Sequence, residues 1–384
     1  MIISRTPFRI SFFGGGTDYP GWYRAHGGAV LATTIDKYCY LSTRFLPPFF
    51  DYRYRVVWSK VENRKRAEEI EHPVVRCLLD HLGMTRGVEL HHVGDLPARS
   101  GMGSSSAFTV GLLHALHALR GRMTGKDELM REAIHVEQEL LKETVGSQDQ
   151  VSAAYGGFNK ITFAQTGEIT VSPVLLPPGR REELDAHLML FYTGIVRTAS
   201  TVASTYVDDI QSKRRQLRIL RDLVDESLSL LTSHAPIEGF GQLLDEAWSV
   251  KRSIGAGIST NDVDAIYARA REAGAIGGKI TGAGGGGFLL LFVPPYLQSA
   301  VADALPELVH VPFRFETSGS QIIFYDPETD YAAVEAEREA RPIRAFREFD
   351  PTVDVADAGV AGVVTVAPAP RRAASPSPAT FHPK

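Results

Sequence analysis

Two hydrophobic periods take turns along this chain of 384 residues, and each change of period marks an element. Over the first sixty residues the apolar runs are short: Ile2–Ile3, Phe8–Phe13, Ala29–Thr34, Tyr38–Phe45 and Tyr52–Trp58. They are rich in β-branched and aromatic residues and broken by glycine, which predicts strands and turns. A helical period takes over at Pro73–Leu82. A strand follows at Val88–His92, and a Pro/Gly/Ser-rich turn fills 94–106. Ala107–Leu119 is apolar nearly all round, the pattern of a buried helix. Lys126–Lys142 reads as a second helix, with a strand at Phe158–Phe163 and a proline-bearing connection at Pro173–Pro178. The second half predicts a strand at His187–Tyr192, a long helical stretch across 200–233, and helices at 239–252, 261–273 and near 296–305. Its remaining strands are Phe288–Val293, 309–316 and 320–325. Residues 350–384 turn to Ala, Val, Pro and Ser without a period, so a tail of 346–384 is expected to be disordered.

Composition narrows the classes. The 41 Lys+Arg nearly balance 45 Asp+Glu, so no overall field favours nucleic acid or an anionic membrane. Two cysteines, Cys39 and Cys77, exclude a disulfide framework and a four-thiolate zinc site. The longest pure apolar run, Phe288–Val293, falls far short of the ~20 residues of a spanning helix. No apolar signal-peptide stretch precedes Arg5 and Arg9, and the expected compartment is the reducing cytoplasm. The expected ligands are therefore small molecules, bound by a monomer or homodimer with no nucleic-acid or membrane partner. The 35 glycines exceed the usual share of about seven per cent, and they cluster.

There are three clusters: Gly14–Gly16 followed by Thr17 and Asp18, Gly101-Met102-Gly103-Ser104-Ser105-Ser106, and Gly282–Gly287. Any one of them could be a tight turn. The third satisfies G-x-G-x-x-G but opens into a strand, the wrong context for a dinucleotide fingerprint. The second lies between a strand and a buried helix, where glycines admit phosphate oxygens and the helix start points N–H groups at an anion. It is not a Walker loop, since no Lys-Ser/Thr follows. A serine-capped helix accounts for one serine but not for three between glycines.

On the helix over 126–142, Leu129, Met130, Ala133, Ile134, Leu140 and Leu141 form one stripe. Glu137 falls inside it, with Glu132, Glu139 and Glu143 opposite. A carboxylate on an apolar face needs either an Arg or Lys partner or a metal, such as Mg²⁺ shared with a triphosphate. Ser147 and Gln150 fit a capping box, which makes Asp149 a first-turn acid; a general base at a helix start is compatible with that.

Together these stretches resemble the galactokinase–homoserine kinase–mevalonate kinase–phosphomevalonate kinase (GHMP) superfamily. The first motif resembles Thr6-Pro7-Phe8-Arg9 with Gly14–Asp18, the second Leu96–Ala107, and the third Lys279–Gly287. The wording is most similar to the bacterial kinases of D-glycero-α-D-manno-heptose 7-phosphate, notably at Phe13–Asp18, Asp95–Phe108, Val145–Phe158 and Gly319–Ile323. Galactokinases carry Glu-His where this chain has Gly15-Gly16.

The resemblance implies an α+β, two-domain fold over about residues 1–325, with a ribosomal protein S5 domain 2-like N-terminal domain (1–180) and a ferredoxin-like C-terminal domain (181–345). It implies ATP and Mg²⁺, with Gly101, Met102, Gly103, Ser104, Ser105 and Ser106 around the phosphates and Ser105 and Glu137 on the metal. Asp149 would be the base and Arg9 its cationic neighbour. Gly15, Gly16, Thr17, Asp18, Gly284 and Gly285 would line the acceptor, a sugar phosphate phosphorylated at its anomeric hydroxyl. Arg197, with Arg24 second, is the candidate for the acceptor's own phosphate. A kinase for another sugar such as fucose, or a non-catalytic sugar sensor, would share the fold.

Overall fold

The alternating and helical runs fold into two sheets with helices packed on them, described in the computed structural model for residues 1–195, 210–255, 257–326 and 331–340. First come β1 (Ile2–Phe13), α1 (Pro20–His26), β2 (Gly28–Phe45), β3 (Tyr54–Val57), β4 (Val61–Arg64), α2 (Pro73–His81) and β5 (Val88–Gly94). Then follow α3 (Ser104–Leu119), α4 (Lys126–His135), α5 (Gln148–Tyr155), β6 (Phe158–Phe163), β7 (Ile169–Pro173) and α6 (Arg180–Ala186). The second sheet and its helices use β8 (Leu188–Tyr192), α7 (Arg214–Thr232), α8 (Glu238–Arg252), α9 (Asn261–Glu272), β9 (Gly277–Ile280), β10 (Phe288–Phe292), α10 (Gln298–Ala304) and β11 (Val309–His310). The chain closes with β12 (Phe315–Glu316), β13 (Gln321–Tyr325) and α11 (Ala332–Ala340).

β2 is the spine of the first sheet. One edge pairs with β1 along its length, from Ile2 opposite Thr43 to Phe13 opposite Leu31. The other edge is shared: its first residues pair with β6, Thr34 and Ile35 with β12, and its last residues with β5. β13 adds to the free edge of β1, so the chain returns at its end to the sheet it began. α3 lies against β1 and β2 with twelve buried residues, as its all-round apolar pattern predicts.

The second sheet runs β11-β8-β10-β9, entirely antiparallel. In chain order this is strand, helices, two strands, helix, strand, which is the ferredoxin-like arrangement. All described residues fall in one compact unit.

Two expectations change. The helix over 126–142 is α-helical only to His135, and Val136–Leu140 forms a π turn with Leu141 N–H donating to Val136 O. The extra residue breaks the 3.6 period. Leu140 is therefore turned outward, 42% exposed; Glu132, which precedes the turn and is expected on the far side, meets the buried His117 at Nε2, 2.7 Å away. The run 309–316 splits, its first residues staying in the second sheet and its last crossing to the first. Of the helical stretch across 200–233, the described part is a 3₁₀ turn at Ile210–Lys213 that leads into α7; residues 200–209, Arg197 and the expected tail of 346–384 lie outside the described residues.

Candidate active site

β1 carries Arg9 into the interior, 4% exposed, a position a cation can hold only when fully paired. Its guanidinium is paired: Nε donates to Asp149 Oδ1 at 2.7 Å and Nη2 to Oδ2 at 2.8 Å, a parallel fork. Nη1 donates to Gly101 O at 2.6 Å, and Met102 O accepts from Arg9 N–H at 3.1 Å. One residue thus fixes the expected base and the phosphate loop together. Asp149 sits in the first turn of α5, as expected, and remains partly open to solvent.

The loop opens directly into α3. Gly103 holds the N-cap position at φ 73°, which suits a residue without a Cβ, and no side chain caps the helix. The first-turn N–H groups therefore have no internal side-chain acceptor, as an anion site requires. Met102 is buried beneath the loop, whereas Ser105 is exposed.

Glu137 is fully buried and points at the start of α3. Its Oε2 accepts from Ser106 Oγ at 2.8 Å and from Gln150 Nε2. The serine it bonds is Ser106, and Ser105 stands one position earlier. Gln150 is spent here, and Ser147 Oγ accepts from Gln138 Nε2, so the expected capping box does not form. Among the described residues no Arg or Lys pairs with Glu137. Burial pushes its carboxyl up to about 7 against three hydrogen bonds that favour the anion. Its second oxygen, Oε1, is buried without a partner, which is the vacancy in bonding that a cation would fill. The donor set thus fits Mg²⁺.

The first glycine cluster turns beside α5. Thr17 Oγ1 donates to Gly14 O and Ala29 O, pinning the turn to β2. Asp18, expected to face the sugar, is 1% exposed; it accepts from Gly16 N–H at 3.0 Å and Gln148 N–H at 3.3 Å. It ties the turn to the helix that bears Asp149. Burial, followed by the Asp149 charge, raises its carboxyl above the ordinary value. Gly15 is open, since an added Cβ would meet nothing nearer than Ser11 Oγ at 3.6 Å. Arg24 is exposed on α1.

The third cluster packs on the second. A Cβ on Gly282 would lie 2.7 Å from Gly101 Cα, and one on Gly101 would lie 2.6 Å from Thr281 O. Gly285 N–H donates to Ile258 O, and Gly284 packs on the same residue.

Two buried lysines complete the cluster, and sequence reasoning passed over both. Lys279 Nζ donates to Ser11 O and Phe12 O, and Lys251 Nζ donates to Gly282 O. Lys251 had a legible signal: it shares the stripe of Phe240, Leu244, Ala247 and Trp248, as Glu137 shares its own.

A phosphate loop at an open helix start, a fork-paired aspartate and a partnerless buried carboxylate oxygen define an ATP-dependent phosphotransferase that acts on an alcohol group. The comparisons agree. The GHMP kinases N terminal domain matches residues 68–157, and the GHMP kinases C terminal domain residues 231–311. Mevalonate kinase of Methanothermobacter thermautotrophicus is 30% identical over 244 residues, 58% of this chain and 73% of that one. D-glycero-alpha-D-manno-heptose 7-phosphate kinase of Campylobacter jejuni is 29% identical over 316 residues, 79% of this chain and 93% of that one. The crystal structure of a D-glycero-D-manno-heptose 1-phosphate kinase from Bacteroides thetaiotaomicron shares the fold at TM-score 0.70 and 23% identity, over 85% of this chain and all of that one. The chain belongs to the GHMP kinases and is a sugar kinase among them.

Proposed function

We propose that the chain phosphorylates the anomeric hydroxyl of D-glycero-D-manno-heptose 7-phosphate, giving the 1,7-bisphosphate that an activated nucleotide-heptose for surface polysaccharide requires. The observation that carries this is the open Gly15 position, which faces Ser11 and Gln148, the residue before Asp149, while Gly16 at φ 105° turns the chain against Leu217. Where galactokinases place two side chains, this site leaves room for a longer sugar. The Campylobacter relative, similar over nearly its whole length, bears the name of that activity.

Asp149 accepts the proton of the anomeric hydroxyl, which is more acidic than an ordinary alcohol. The Arg9 fork orients the carboxylate. The α3 start and Gly101–Ser104 receive the β- and γ-phosphates, and charge neutralisation rather than covalent chemistry lowers the barrier. Glu137 and Ser105 would hold Mg²⁺, which supplies positive charge to the phosphate oxygens. The Gly284-Gly285 turn would face the acceptor end.

A coupled assay of ADP release across heptose 7-phosphate, free heptose, fucose and galactose tests the substrate. Heptose 7-phosphate should give the highest kcat/KM; preference for fucose would transfer the assignment to that sugar.

A further inference from the structure

Lys251 occupies a place the α8 pattern reserves for an apolar residue, and it is 6% exposed. A buried ammonium costs several kcal/mol in effective desolvation unless it is well compensated. Its hydrogen bond goes to a carbonyl, Gly282 O, rather than to a carboxylate. That carbonyl belongs to the glycine packed on Gly101, and Gly101 O is held by Arg9 Nη1. Two cations, one from β1 and one from α8, thus grip adjoining glycines of the second and third clusters.

The charged groups facing Lys251 are those of the site itself. Arg9 on β1 and Lys279 on β9 repel it, while Asp18 of the first turn and Asp149 on α5 attract it. Lys279 differs, since two main-chain carbonyls hold it.

We propose that Lys251 is a positioning residue for phosphoryl transfer: its ammonium locks the Gly282–Gly287 turn onto the phosphate loop that Arg9 ties to Asp149, and so keeps Asp149 set toward the acceptor hydroxyl. This rests on the kinase reading above. Burial, with the Arg9 charge second, lowers Lys251 to about 8. The ammonium is therefore present at neutral pH and is lost as pH rises through that value. Loss of the proton weakens the grip on Gly282 O and removes a positive charge beside Asp149.

The test is kcat and KM for ATP and heptose 7-phosphate over about pH 6.5 to 9.5, in the full chain and in Lys251→Arg and Lys251→Met. The wild type should lose kcat above pH 8 with KM for ATP little changed. Lys251→Arg, whose charge persists, should retain activity and carry that limb to higher pH. Lys251→Met should lower kcat by about 10–100-fold, without the limb. An unmoved limb in Lys251→Arg, a folded Lys251→Arg as inactive as Lys251→Met, or wild-type kcat in Lys251→Met overturns the proposal. If Lys251→Met does not fold, the Lys251→Arg profile decides. A wild type that consumes no ATP with any sugar or sugar phosphate sinks the kinase reading itself, a different result from an active wild type with indifferent variants.

Discussion

At the residue scale the proposed chemistry rests on two carboxylates in opposite surroundings. Asp149 is charge-paired and partly open; Asn in its place keeps shape and removes the proton acceptor. Turnover should fall by roughly 10²–10⁴ while KM for ATP holds. Near-normal turnover would leave Asp149 a helix-start acid only. Glu137 is buried and raised to about 7 from 4.5, so the metal-free fold resists its ionisation. The stability it contributes is complete below the unfolded value and lost as pH rises through about 7. Mg²⁺ must displace a proton below that range and meets a ready anion above it. The rise in Tm given by Mg²⁺ with a non-hydrolysable ATP analogue should therefore be larger at about pH 8 than at about pH 6. Glu137→Gln should abolish the difference, and an equal rise in both proteins would remove Glu137 from the metal.

At the element scale the site depends on glycine turns meeting backbone to backbone. Gly101 has φ 79°, and a Cβ there would stand 2.6 Å from Thr281 O. Neither chain can yield without moving the third cluster. Gly101→Ala should cost at least about 1–2 kcal/mol from the left-handed conformation alone, read by denaturant unfolding. It should also raise KM for ATP, since the loop would leave the start of α3. An alanine variant with native affinity and stability would show that the contact is loose. The π turn after α4 is the other local decision. The sequence placed Glu137 on the buried stripe correctly, but the turn then moved Leu140 out. The hydrogen bonds from Gln150 and Ser106 join residues far apart in sequence, so no local propensity announces them.

At the scale of the whole molecule the phosphate of the proposed acceptor needs a cation beyond the ATP site. Arg197, outside the described residues, remains the proposed group. Arg197→Ala should raise KM for heptose 7-phosphate alone, narrowing its advantage over free heptose, with KM for ATP unchanged. An unaltered ratio would place the phosphate elsewhere. We propose the division at 180/181 as well, with β12 and β13 returning to the first sheet from the second half. Removal of 351–384 should change neither Tm nor activity, because that composition offers no periodic apolar face to bury; a lower Tm would show that it docks.

The three ordered glycine motifs, the all-round apolar helix and the misplaced Glu137 were legible because each is a local departure from a simple period or composition. From them came the resemblance to the family, and that resemblance implied the α+β class and the pairing of Arg9 with Asp149. Tertiary structure alone decided which serine meets Glu137, that Gln150 leaves its cap, that Asp18 binds the backbone, and that Lys251 and Lys279 are each buried against main-chain carbonyls. These are contacts between segments up to 268 positions apart, and sequence periodicity reports only which face a residue occupies, not what the fold brings to meet it.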